Sequence, residues 1–493
     1  MILLLSEISK YLILLLMALY TCLNFAALRR GRPGYRDGLC RKLMFMTCLQ
    51  MFFGGFILIL NTGDLSIAAM LLLQLFVSLL YRSIYRKLYP QASQVLVCNM
   101  LMLFSIGMLM LARLSVARAW RQLLYWLPAL LITLLVPFFI SRLRILARWG
   151  LLYALAGIGL LGVVWVAGET TYGAQLSLSL GPLTVQPSEF VKILFVFFTA
   201  GMLYRKQSFP RIVFTTILAA AHVLLLVAST DLGSGLVFFM AYLFMLYVAS
   251  GRAFYLFSGL GAGAGASVLA YKLFRHVRVR VLMWRDPFSD YENMGYQLAQ
   301  SLLAIGTGGW FGVGLCRGIP GSIPKSYNDY IFAAICEELG GIFGILLLLI
   351  YLGFLLQMFR VALHMEDSFY KIVGVGMASM IGFQTFLHVG GVIRMIPATG
   401  ITLPLISYGG TSLLSTAILL AVIQGLYVLE GRAQAAAGKT PLEDEDDALD
   451  EPVDEDELMV LNERLYGQDY YEEDLKREMP LPQIRPLDPE DIL

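Results

Sequence analysis

Charge is scarce in this sequence. Only 15% of its 493 residues are charged, 58% are hydrophobic and the mean hydropathy is +0.71, whereas soluble domains carry roughly 25% charged residues. An ordinary soluble enzyme is excluded. Histidine is rarer still, with four in the whole chain. No H-E-x-x-H pair, no Cys/His cluster at metal spacing and no G-x-x-x-x-G-K-[ST] loop occurs, so zinc and nucleotide chemistry have no basis in sequence. The six cysteines make no disulfide framework: Cys22, Cys48 and Cys98 lie inside apolar runs, Cys40 in a basic loop, Cys336 at the start of a run, and Cys316 alone in its loop. The N-terminus lacks a basic n-region and an A-x-A site, so no cleaved signal peptide is expected. No nucleic-acid partner is expected either.

What is present is a series of long apolar runs, such as "YLILLLMALYTCLNFAAL" and "FGILLLLIYLGFLLQMF". They approach the ~20 residues that cross a bilayer as a helix. They do not alternate as the strands of a membrane barrel would, and helices satisfy their own backbone in lipid. The chain reads as an all-α polytopic membrane protein. Thirteen segments are expected, at roughly 10–28, 43–62, 66–81, 95–113, 122–140, 149–168, 188–204, 212–229, 232–249, 254–274, 331–358, 372–393 and 411–430.

The net charge of +2 conceals two regions. From Gly431 to Leu493 there are 20 acidic and 6 basic residues, against 31 basic and 15 acidic in the rest. The acidic tail, 431–493, reads as disordered and solvated, with docking to a basic partner as the sharper alternative. The loop "RRGRPGYRDGLCRK" after the first segment is strongly basic. The positive-inside rule therefore places it in the cytoplasm and the N-terminus outside. Alternation then puts four more basic connections and the tail in the cytoplasm, and leaves one exception, the outer loop with Arg113, Arg118 and Arg121. It also puts outside a connection of over fifty residues, about 275–330. Connections of that length usually carry function.

Four stretches could carry chemistry. In "VQPSEFVK", Pro187 and Ser188 suit a helix start, but Glu189 and Lys192 share one helix face inside an apolar segment, where ionisable groups usually have a task. In "STDLGSG", Thr230 or Asp231 suits an N-cap. "GGVIRMIPATGITLPLISYGGTS" breaks the helical pattern beside Arg394, and irregular backbone at membrane depth implies a polar cavity, with Arg394 at or near its wall. In "MWRDPFSDYENMGYQ", Asp286, Asp290 and Glu292 are either a solvated surface or the site of a general base acting on an anionic lipid-linked substrate. The apolar stretch after it, "YQLAQSLLAIG", would lie along the membrane or re-enter it. The glycines of 306–321 are either a flexible connection or backbone that approaches a phosphate.

The ordered stretches "QPSEFVK", "TDLGSGLVFF", "DPFSDYENMGYQLAQSLLAIGTGGWFGVGL", "NDYIFAAICEELG" and "IPATGITLPLISYGGTS" resemble the motifs of the SEDS proteins (shape, elongation, division and sporulation; the RodA, FtsW and SpoVE group). The resemblance spans about 95–430. It implies a ten-helix catalytic core (93–430) with a large outer loop (275–330), preceded by three extra transmembrane segments (1–92). It further implies a glycosyltransferase of the bacterial plasma membrane that polymerises lipid II into β-1,4 glycan during elongation, division or sporulation, beside a class B penicillin-binding protein. By the same resemblance the essential acid is Asp290, five residues before Gly295. The substrate-binding set is Gln297, Glu189, Lys192, Arg394, Pro397, Thr399, Gly400, Ser407, Tyr408, Gly409 and Gly410. No cofactor is certain; a divalent cation, Mg or Mn, is an option. A lipid II flippase and a non-catalytic scaffold are the rival readings. The chain departs from the family pattern at three places: Ser177 stands near a usual Trp, His388 where Asn is common, and Asn328 for Thr.

Overall fold

The computed structural model describes residues 2–28, 35–171, 174–180, 183–205 and 208–436. The acidic tail beyond 436, like the basic stretch 29–34, lies outside the described residues. Sixteen α-helices follow one another. Three precede the expected core: α1 (Ile2–Ala26), α2 (Tyr35–Thr62) and α3 (Ser66–Leu88). Then come α4 (Gln94–Leu114), α5 (Val116–Arg142), α6 (Gly150–Ala167), α7 (Pro187–Leu203), α8 (Phe209–Ala228), α9 (Leu232–Ser250) and α10 (Ala253–Leu273). The long connection holds α11 (Arg275–Arg285) and α12 (Tyr296–Gly308), and the chain ends in α13 (Ile331–Leu339), α14 (Gly341–His364), α15 (Ser368–Val392) and α16 (Gly410–Ala436). Twelve helices among the described residues are long and apolar enough to cross a bilayer, and α7, of 17 residues, packs among them. The protein is a polytopic helical membrane protein.

Local chemistry sets the helix ends. Asp231 caps α9 by accepting a hydrogen bond from Ser234 N at 3.0 Å, and Asp367 caps α15 from Phe369 N at 2.8 Å. Pro187 begins α7 and costs nothing there, because its missing N–H would have had no helical acceptor. The described residues depart from helix in one small antiparallel meander, β1 (Glu169–Thr171), β2 (Ala174–Leu180) and β3 (Leu183–Val185). The alternation in "LSLSL" suits a strand; Ser177 sits in β2.

The span expected at 331–358 is two helices. Gly340 stands between α13 and α14 at φ +93°, and a Cβ there would lie 2.5 Å from Gly312 N. All nine residues of α13 are buried. Against its end lies the glycine-rich stretch: Val313 N donates to Glu337 O at 3.0 Å and Gly314 N to Glu338 O at 2.9 Å. Cys316 N and Ile319 N donate to the Glu338 and Glu337 carboxylates. These amides thus serve neither a loose connection nor a phosphate; they are held by α13. Burial pushes the Glu338 carboxyl up to about 7 despite its ion pair with Arg113 at 2.8 Å. The connection 275–330 is likewise not a plain loop, and α12 packs on α13 and the end of α15, with Ser301 Oγ donating to Val392 O at 3.2 Å.

The arginines that break the charge rule are held by this same end of the bundle. Arg113 pairs with Glu338, and Arg118 lies 3.9 Å over the Tyr327 ring. The first helix reaches the same place: Arg317 pairs with Glu7 at 2.9 Å, and Lys10 Nζ donates to Gly312 O at 3.4 Å. Gly340→Ala should therefore cost about 1–3 kcal/mol in backbone strain alone, read as a lower Tm of the purified protein in detergent. An unchanged Tm would contradict the close pairing of 309–314 with α13.

Candidate functional site

A cavity of about 680 Å³ opens at the end of the bundle that carries α11 and α12. Its walls are α11 (Arg275, His276, Arg280), the start of α12 (Gln297, Leu298), the strap before α13 (Lys325, Asp329, Tyr330), the last turns of α15 (His388, Gly391) and the segment Ala398–Ile401. Three cations therefore face one carboxylate, which suits an anionic ligand. Arg280 Nη1 donates to Thr399 O at 3.1 Å and more weakly to Ala398 O at 3.4 Å. Burial lowers its pKa below the usual arginine range, against the pull of Asp231, Tyr330 and Asp329. Burial also pushes the Asp329 carboxyl up to about 6, opposed by Lys325 and Arg280.

The twelve residues singled out from sequence fall into three groups. Gln297, Thr399 and Gly400 line the cavity. Gly400 is at φ +75°, and a Cβ there would lie 3.9 Å from Asp329 Oδ2. Asp290 sits beside the mouth, half-buried on the turn before α12. Its Oδ1 accepts from Asn293 Nδ2 at 2.9 Å and its Oδ2 from the amide of Met294 at 3.2 Å, and Met294 is itself a lining residue.

The remaining residues form the frame. Arg394, at φ +60°, donates to Trp284 O at 2.8 Å and Arg285 O at 2.5 Å, while Trp284 Nε1 donates to Arg394 O at 3.1 Å. Its guanidinium thus satisfies the last carbonyls of α11 and joins α11 to the end of α15, with Pro397 three residues on. Ser407 Oγ donates to Asn328 O at 2.7 Å and accepts from Leu403 N at 2.8 Å. Tyr408 N donates to Tyr327 O at 2.9 Å, and Gln122 bridges Ser407 O and Gly409 N. A Cβ on Gly410 would lie 2.8 Å from the Tyr125 ring. These four hold the 327–330 strap and α5 behind the cavity wall.

Glu189 and Lys192, 5% and 2% exposed, form a buried ion pair at 2.8 Å. Lys192 also donates to Gln384 Oε1 at 2.8 Å, and Ser415 Oγ donates to Glu189 Oε2 at 2.6 Å. The pair therefore ties α7 to α15 and α16 and is not part of the cavity lining. Beside it, burial raises the Asp231 carboxyl, which Ser234 and Lys192 pull down.

Reading the sequence left Asp329, Lys325, Arg275 and His388 out of the site. Asp329 was visible within "NDYIFAAICEELG", but nothing local ties it to Arg280 or to Thr399. Among the described residues no three His, Cys, Asp or Glu side chains come together to hold a metal. With one lining carboxylate, a divalent cation would fit only by sharing ligands with phosphate oxygens, as magnesium often does.

A family model described as "Cell cycle protein" (FTSW_RODA_SPOVE) matches residues 87–429. The chain is 35% identical over 367 residues to peptidoglycan glycosyltransferase RodA of Mycobacterium tuberculosis (strain ATCC 25618 / H37Rv), covering 69% of this chain and 78% of that one. It is 38% identical over 283 residues to probable peptidoglycan glycosyltransferase FtsW of Aeromonas salmonicida, covering 55% of this chain and 72% of that one. A chain from a study of the structural coordination of polymerization and crosslinking by a peptidoglycan synthase complex superposes with a TM-score of 0.58 at 28% identity, over 70% of this chain and 98% of that one.

Lys192→Met should cost about 3–5 kcal/mol, because it leaves the Glu189 charge buried and unpaired. The Glu189→Gln/Lys192→Met double variant should recover most of the lost Tm. A single variant as stable as the wild type would refute the pair's role as a joint.

Proposed function

The chain belongs to the FtsW, RodA and SpoVE family of cell-cycle proteins, and from that premise we propose that it is a peptidoglycan glycosyltransferase that polymerises lipid II. The observation that carries the reading is the cationic cavity beside Asp290, at the end of the bundle opposite the basic connections. The basic connections lie in the cytoplasm on this reading, which places the cavity at the outer face of the plasma membrane, with the N-terminus outside and the acidic tail inside.

The reaction joins the GlcNAc 4-hydroxyl of one lipid-linked unit to the anomeric carbon of another chain's MurNAc. The hydroxyl is a weak acid, so a carboxylate must take its proton as the bond forms. Asp290 takes that proton, from a turn that already presents both carboxylate oxygens to hydrogen-bond donors. The polyprenyl pyrophosphate departs with the bonding electrons, and Arg275, Arg280 and Lys325 balance its charge. A single displacement inverts the anomeric centre and gives a β-linked glycan from an α-linked donor. No carboxylate nucleophile is needed, unlike a retaining glycosidase. A divalent cation, if bound, would add charge balance at the pyrophosphate, with Asp329 as the protein ligand. Asp329 otherwise offsets the charge of Arg280 and Lys325. The likeness to a chain of a synthase complex supports a class B penicillin-binding protein as partner.

The test is glycan polymerisation from purified lipid II, with the partner present and unrelated polymerases inhibited. Wild type should yield polymer and Asp290→Ala none; polymer from both would remove Asp290 as the base. No polymer from the wild type would favour the flippase or scaffold reading. The Asp329 pKa lies above the ordinary aspartate value, so the group is charged above about pH 6 and neutral below it. Wild-type activity should therefore fall as pH drops through about 6, while Asp329→Asn should be low and flat from about pH 5 to 7.5. An Asp329→Asn profile like that of the wild type would rule out this role.

A further inference from the structure

His388 has an incomplete set of hydrogen bonds. The residue lines the cavity and is 2% exposed. Nδ1 lies 2.7 Å from Ile401 O, and because a carbonyl only accepts, Nδ1 holds the proton. In the neutral ring Nε2 is then a bare acceptor, and it is buried with no partner in the protein. A second proton there is opposed by Arg275, Arg280 and Lys325, which line the same cavity. The Thr399 hydroxyl, on the segment that His388 grips, is also buried without a partner. A buried polar group left unsatisfied costs about 1–3 kcal/mol. Two such atoms on residues of one cavity wall imply a partner that arrives with whatever fills the cavity.

We propose that His388 Nε2, together with Thr399 Oγ1, is a specificity subsite for an uncharged hydrogen-bond donor on the sugar of the lipid-linked substrate, either a ring hydroxyl or an acetamido N–H. This rests on reading the cavity as the polymerase's substrate site. The charge pattern selects the class. A phosphate oxygen would meet a lone pair at Nε2 and has three cations elsewhere in the cavity, whereas an ammonium group would face those same cations with Asp329 alone to offset them. Only a neutral donor satisfies the acceptor without a charge penalty.

Two substitutions separate recognition from packing. His388→Asn retains an amide N–H at the reach of Nδ1, and so the bond to Ile401 O, but has no atom at the place of Nε2. His388→Gln does the reverse: its amide reaches the place of Nε2 and gives up the bond to Ile401. The measurement is Tm, and KM and kcat for polymerisation of lipid II. His388→Asn should keep its Tm and kcat while KM rises about 3- to 10-fold, the value of one neutral hydrogen bond. His388→Gln should lose Tm and keep KM closer to that of the wild type. Lipid II analogues identify the donor, one deoxygenated at a ring hydroxyl and one N-methylated at the acetamide. The analogue lacking the recognised donor should show equal KM for wild type and His388→Asn. His388→Asn with a wild-type KM, or losses that simply add for every analogue, would overturn the subsite. No polymer from the wild type would instead refute the polymerase reading, and the subsite with it.

Discussion

The structure depends on keeping seventeen residues of non-helical backbone satisfied at the end of a membrane bundle. Between α15 and α16 the chain runs without helix from 393 to 409, and each unpaired polar group buried there would cost several kcal/mol in an apolar setting. Side chains from distant helices provide the partners. Arg280 of α11 donates to the 398 and 399 carbonyls, His388 lies on Ile401 O and Gln384 donates to Thr402 O. Tyr351 of α14 donates to Pro404 O, and Gln122 of α5 to Ser407 O. The segment is fixed by at least four helices, and the cavity is the space it leaves beside α11 and α12.

That arrangement explains why polar groups recur inside so apolar a chain. Gln384 donates to Thr402 with its amide nitrogen and accepts from Lys192 with its amide oxygen, so the buried ion pair and the irregular segment share one side chain. Removing either charge would be felt at the cavity wall through that amide. The glycines serve the same end. Gly107 of α4 lies so close to the segment that a Cβ would meet Ile406 O at 2.6 Å, and one on Gly233 of α9 would lie 3.0 Å from Thr399 O. The first helix, outside the matched family region, adds Ser6, Glu7 and Lys10 as contacts to the 312–317 stretch, and so extends the support of the 275–330 connection.

Much of the fold was legible from apolar run length, because a bilayer imposes that length on every span. The exception to the charge rule at Arg113, Arg118 and Arg121 has a local cause: those side chains serve partners on α13, the 327 strap and beside Tyr408. The break at Gly340 was not legible, since glycine is common in spans and its positive φ follows from the approach of Gly312. The site was legible in part. Asp290, Gln297 and Thr399 lie in stretches that resemble family motifs. Asp329, Arg280 and His388 converge from positions 49 to 108 residues apart, and no periodicity joins them; packing around 393–409 does.

The central claim is that the sugars of the substrate are joined at this cavity. A photo-crosslinking amino acid at position 297 on the cavity wall, compared with one at Ser368 at the opposite end, tests it directly with lipid II as the probe. The account predicts an adduct at 297, lost on competition with unlabelled lipid II, and none at 368. Adduct at 368 alone, or none at 297 in a preparation that makes polymer, would contradict it.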